Sequence, residues 1–322
     1  MVADTAMVDE DDQPNAEHPL TETEWTTLVN RVVKGACTPF LGAGVAWPFL
    51  PTGKELATTL ADKFEYPLPD PTNLPRVAQY VATLHKDPSY AQGQVREEIS
   101  ARQKKFIESS DVDFPQNYRI LANLRLPIYI TTNYDDFLTR ALKAAGRDPR
   151  VEVCRWNNWL YEDHEYSEDE PTEDHPLVFH LHGDLSDEGS LLVTEDDYID
   201  FTVSLSQRGG AEDPVIPHWI RRALGRTTLL FVGYSLEDWN FRILMRQLIE
   251  QLRVLRHQQS PSISIQLSDT TIPPKKRQAA QRFLAEYLDT TSAIRVYWGQ
   301  AEPFLKELDK RCRIARDGQQ QG

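Results

Sequence analysis

The sequence predicts an α/β protein: a Rossmann-like parallel sheet with helices on both faces and a helical lid or small subdomain. Three observations predict it. Short runs of β-branched and aromatic residues alternate with longer stretches whose apolar residues recur at helical spacing. Each run ends in a polar turn from which a helix starts, the order of a β-α-β chain. Hydrophobic residues make up 40% of the 322 positions, enough to bury the core such a sheet needs.

Residues 1–20 are acidic and poor in large apolar groups, which predicts a disordered tail. Thr21 and Glu24 frame a capped amphipathic helix carrying Trp25, Leu28, Val29 and Val32, closed by Gly35. Cys37 to Leu41 reads as a strand running into Gly42-Ala43-Gly44-Val45. A helix with Leu56, Leu60 and Phe64 on one side follows, then a proline-rich loop, then two or three more helices up to Phe106. This helical insertion, about 54–118, separates the first strand from the second. Pro127 to Ile130 forms the next strand, followed by a polar turn, a helix over 136–145 and a strand at Val151–Cys154.

An acidic segment leads to a strand ending at His182-Gly183-Asp184, and Thr194 caps a helix with acids in its first turn. A looser region, 204–215, precedes a helix with Trp219, Ile220 and Leu224. Thr227 to Val232 is the clearest buried strand; it ends at Gly233-Tyr234-Ser235 and leads to a helix with Phe241, Leu244, Met245 and Leu248. Strands at 262–265 and 294–298, with helices at 275–288 and 302–313, complete a domain spanning 21–316, and residues 317–322 are expected to be flexible.

The net charge of -14 is concentrated. Residues 1–24 and 162–174 hold eight acids each and no Lys or Arg, so the remainder is nearly neutral and open to an anionic ligand. No basic stripe points to direct nucleic-acid binding. No apolar run is long enough for a membrane span, and the N-terminus has no signal-peptide pattern, so a cytoplasmic protein is expected. Cys37, Cys154 and Cys312 are isolated in sequence, the pattern of buried thiols rather than of a zinc site or disulfide framework.

In a parallel α/β sheet, ligands sit outside the carboxyl ends of the strands. Asn133 and Asp135 at the Ile130 exit have two readings: turn and cap residues, or groups lifted into a crevice. Gly42 and Gly44 mark either a plain turn or a loop whose N–H groups cradle a phosphate. His180 and His182 share one strand face with His182 nearer the exit, and each is either a core or turn histidine or a site residue.

As a set, Gly42-Ala43-Gly44, Thr132-Asn133-Tyr134-Asp135, His182-Gly183 and Gly233-Tyr234-Ser235 resemble the landmarks of the sirtuin superfamily over about residues 36–300. Residues 184–233 hold no cysteine, whereas sirtuin deacylases carry four zinc cysteines there. With PxxxEL at Pro51–Leu56, TTNYD, HLHGD and VGYSLxD, the chain is similar to bacterial sirtuin-like domains of antiviral defence systems. The resemblance implies hydrolysis of NAD as substrate, without zinc. It implies that the loop of Gly42 and Gly44 holds the pyrophosphate and that Gly233 and Ser235 line the adenosine side, with Ala43, Val45, Thr132 and Tyr234 also binding the cofactor. Asn133 would orient the nicotinamide ribose or the water, Asp135 would face the carboxamide, and His182 would act as base. A homo-oligomer and a separately encoded sensor or effector protein are the expected partners. An NAD-dependent protein deacylase and a non-catalytic NAD- or ADP-ribose-binding module are the alternatives.

Overall fold

The computed structural model describes residues 20–157, 165–208, 215–234, 262–266, 273–292 and 294–320. Residues 1–19, where the acidic tail is expected, and 235–261, with Ser235 and the helix expected at Phe241–Leu248, lie outside the described residues.

Seven strands form one parallel sheet: β1 (Cys37–Leu41), β2 (Ile128–Thr131), β3 (Arg150–Val153), β4 (Leu177–His180), β5 (Thr228–Val232), β6 (Ser262–Gln266) and β7 (Ile294–Trp298). Their spatial order is β3-β4-β2-β1-β5-β6-β7, confirming the Rossmann-like expectation. Side chains alternate across the pleat. Leu41, Val178, Leu230 and Val232 therefore enter one core, and Phe40, Phe179, Leu229 and Phe231 enter the other.

The first core packs under α1 (Glu22–Val33), α2 (Gly53–Lys63), α3 (Leu74–His85), α4 (Pro88–Ser109), α5 (Gln116–Asn123), α6 (Phe137–Ala144) and α10 (Ala301–Gln320). The second packs under α7 (Glu195–Arg208), α8 (His218–Arg226) and α9 (Pro274–Ser292). Capping boxes fix the starts of α1 and α2: Thr21 with Glu24, and Thr52 with Glu55. The glutamate of the PxxxEL run is thus a helix cap.

Three sequence boundaries move. Leu20 is buried in the first core, so the ordered domain includes the last residue of the expected tail. The looser region at 204–215 begins later, because α7 continues to Arg208 with Phe201 and Leu205 buried. The expected flexibility from Asp317 is replaced by helix through Gln320.

The helical insertion caps the sheet's carboxyl edge. Gln92 on α4 donates to the Leu191 carbonyl at 2.8 Å, Arg96 pairs with Glu188 at 3.1 Å, and Gln79 on α3 donates to Asp196 at 2.8 Å. The acidic segment is fastened by arginines where it is described: Arg150 pairs with Glu152 and donates to the Asp169 carbonyl, while Arg222, Arg125 and Arg147 meet Glu170, Glu173 and Asp174. No helix among the described residues is long and apolar enough to cross a membrane.

Candidate active site

β1 pairs with β2 on one side and with β5 on the other, which makes it the point where the connections change direction and a crevice opens. The carbonyl of Leu41, the last residue of β1, joins all three exits. It accepts from the Thr132 N–H and the Tyr234 hydroxyl, each at 2.9 Å, and the Thr132 hydroxyl lies 2.7 Å from that of Tyr234.

The glycine loop lies directly against the β5 exit. A Cβ on Gly42 would meet the Gly233 carbonyl at 2.8 Å, and one on Gly233, whose φ is +81°, would meet the Val45 nitrogen at 2.4 Å. Only glycine tolerates that approach and that backbone. The expectation of free N–H groups here is corrected. Gly42 donates to Val232 at 2.9 Å, Gly44 to Gly233 at 2.9 Å and Val45 to Gly42 at 3.0 Å. Backbone carbonyls therefore occupy three of the four amides that were to cradle a pyrophosphate.

Asn133 and Asp135 are both buried. The Asn133 amide donates to the Gly42 carbonyl and to the Tyr118 hydroxyl, each at 3.1 Å, so its side chain spans from the glycine loop to the insertion. Asp135 accepts from the Phe137 N–H at 3.1 Å, capping the next turn, while burial pushes its carboxyl up to about 7.

The two histidines differ. His180 Nδ1 lies 3.0 Å from the Asn133 carbonyl. A carbonyl can only accept, so Nδ1 carries the proton and Nε2 turns toward Asp184, 3.7 Å away. His182 stands edge-on to Tyr198 and Phe201, with ring centroids 5.5 and 6.2 Å apart, and its Nε2 is buried with no hydrogen-bond partner among the described residues. Burial lowers its pKa to about 3, which keeps the ring neutral. The fold thus gathers Gly42, Thr132, Asn133, Asp135 and Tyr234 around Leu41 and Tyr118. Among the described residues His182 Nε2 has no hydrogen bond to Asn133 or Asp135.

A cleft of about 470 Å³ lies beside these turns, lined by Gln103, Tyr134, Asp136, Arg140, Asp184 and Ser186 among others. A separate groove of about 540 Å³ between α5 and α10 is rich in cations, but Lys306, Lys310 and Arg313 each pair with an acid of their own helix. Cys37, Cys154 and Cys312 are buried thiols, and no three His, Cys, Asp or Glu side chains among the described residues converge to hold a metal.

Residues 127–289, just over half of the chain, match the SIR2-like domain family. The chain belongs to that family. It is 27% identical over 242 residues to a protein of Enterococcus faecium named NAD(+) hydrolase ThsA, covering 73% of this chain and 44% of that protein. Proteins of the same name from Cytobacillus dafuensis and Bacillus cereus (strain MSX-D12) are 26% and 28% identical, over 68% and 42% of this chain and 38% and 25% of theirs. This SIR2-like chain spans less than half the length of these relatives.

Sequence reasoning missed Tyr118, which belongs to the helical insertion fifteen positions before Asn133. It also treated His180 as a strand residue without a link to Asn133. No local pattern marks either; both are found only through what they touch.

Proposed function

We propose that this chain is an NAD glycohydrolase that cleaves the nicotinamide–ribose bond to give nicotinamide and ADP-ribose. The observation that carries the reading is the Nε2 of His182, buried at a strand exit with no hydrogen-bond partner among the described residues. Leaving a buried polar nitrogen unpaired costs about 1–3 kcal/mol, a penalty that a bound hydroxyl or water removes. The names of the relatives and the Asn133–Gly42 link support the same substrate.

Nicotinamide in NAD is already cationic, so its departure takes the bonding electron pair and needs no general acid. Positioning and stabilisation of an oxocarbenium-like centre remain. Asn133 orients the ribose or the water, and Asp135 faces the carboxamide. Water adds to C1′ and gives up a proton to neutral His182. A water attacking a cationic centre becomes acidic, so a weakly basic imidazole suffices. The loop of Gly42 and Gly44 takes the pyrophosphate once its amides exchange the Val232 and Gly233 carbonyls for the ligand, Gly233 and Ser235 line the adenosine side, and Ala43, Val45, Thr132 and Tyr234 complete the cofactor-binding set.

In the cell this activity would deplete NAD during bacterial antiviral defence, in the cytoplasm. Control would come through a homo-oligomer and a separately encoded sensor or effector, without zinc, membrane attachment or direct nucleic-acid contact.

Purified protein incubated with NAD alone, followed by chromatography, tests the reading. Equal amounts of nicotinamide and ADP-ribose without any peptide are expected. Release only with an acylated peptide points to a deacylase, and saturable binding without products points to a binding module.

A further inference from the structure

We propose that Tyr118 is a positioning residue for this reaction: its hydroxyl accepts from the Asn133 side-chain amide and, with the Gly42 carbonyl, holds that amide in one arrangement. This inference rests on the glycohydrolase reading.

Tyr118 is fully buried in the first turns of α5, with its ring against Phe137 at 5.7 Å between centroids. The preceding residue, Asn117, donates its amide to the Val45 carbonyl at 3.0 Å, so the start of α5 also grips the glycine loop. A phenol has one proton to give and lone pairs to accept with. The Tyr118 oxygen accepts from Asn133 Nδ2 at 3.1 Å. The Asn133 amide has two N–H groups, and the Gly42 carbonyl takes the other. Its rotamer and its O/N orientation are thereby set, with the carbonyl oxygen left for a ligand. Tyr118 stabilises the charged form of Asp135 against burial. The other charge nearby is Asp136 on the same turn, itself engaged by Gln103 of α4 and Arg140 of α6.

Tyr118→Phe keeps the ring and removes the link. The expected result is a thermal transition close to the parent's, a kcat lowered about ten- to a hundredfold, and a KM within about threefold, the split for a group that orients rather than binds. Carboxyl NMR, with the Asp135 signal assigned by its loss in Asp135→Asn, should show Asp135 titrating at higher pH in Tyr118→Phe. If Tyr118→Phe does not fold, 3-fluorotyrosine placed at 118 keeps the shape and makes the hydroxyl a stronger donor. Asp135 should then titrate at lower pH. A parental kcat together with an unmoved Asp135 titration overturns the proposal. A parent inert on NAD overturns the glycohydrolase reading instead. The Tyr118–Asn133 bond then stands or falls on the Asn133 side-chain amide signals, which should shift in Tyr118→Phe.

Discussion

His180 Nδ1 donates to the main-chain carbonyl of Asn133 across 3.0 Å, so one strand exit braces the residue that the neighbouring exit presents. His180 is therefore more than a packing residue of β4. His180→Ala removes the brace and leaves a buried carbonyl unpaired, which costs about 1–3 kcal/mol. Both the melting temperature and the rate of nicotinamide release should fall, measured by calorimetry and chromatography. A variant that loses stability while keeping the parent's kcat would show that Asn133 holds its place without the histidine.

Asn133→Ala and His182→Ala should nearly silence NAD cleavage. Loss of a positioned base costs about a hundred- to ten-thousandfold, and loss of an orienting group costs a similar factor. His182→Ala should keep most of the parent's stability, because its Nε2 makes no hydrogen bond among the described residues. If His182→Ala cleaves NAD within tenfold of the parent, the assignment of the base is wrong.

Asp135 and His182 make opposite pH statements. Asp135 has its carboxyl raised to about 7, so it favours the fold below the ordinary carboxylate range, and that contribution is lost as pH rises through about 7. Asp135→Asn should therefore melt above the parent at pH 8, by roughly 2–4 °C per kcal/mol relieved, and lose the advantage near pH 4. His182 is lowered to about 3, so its neutral ring favours the fold above the usual histidine range, and that contribution is lost as pH falls toward 3. His182→Gln should weaken the acid sensitivity of the melting temperature.

The same two values bear on rate. A neutral His182 contributes no limb to the pH–rate profile near 6.5. The expected profile rises near pH 7 as Asp135 loses its proton, and the rise disappears in Asp135→Asn. A limb near 6.5 that survives in Asp135→Asn and vanishes in His182→Gln would reverse the two assignments.

Gly183→Ala tests the turn after β4. Its φ of +97° and a Cβ position 2.3 Å from the Ser190 carbonyl leave no room for a methyl group. Strained backbone of this kind costs about 1–3 kcal/mol before any clash is counted. A melting temperature lowered by several degrees is expected, and an unchanged one would mean that this turn can relax.

The strands and most helices are written locally. Thr227 to Val232 reads as a buried strand because two β-branched threonines lead into four consecutive apolar residues, and Thr21 with Glu24 reads as a helix start because the capping box is complete within four residues. The four strand exits are equally visible, since glycine, asparagine and histidine stand directly after apolar runs. What sequence could not supply was the pairing among exits. The packing of Gly42 and Gly44 on Gly233, and the donation of their amides to Val232 and Gly233, depend on β1 lying beside β5, nearly two hundred residues away. The link of Tyr118 to Asn133 depends on where α5 lands, and that of His180 to Asn133 on β2 lying beside β4. Local sequence set which backbone turns were possible, because φ preferences and caps act over a few residues. Tertiary packing alone decided which donor met which acceptor, because those bonds form between segments brought together only by burial of the two cores.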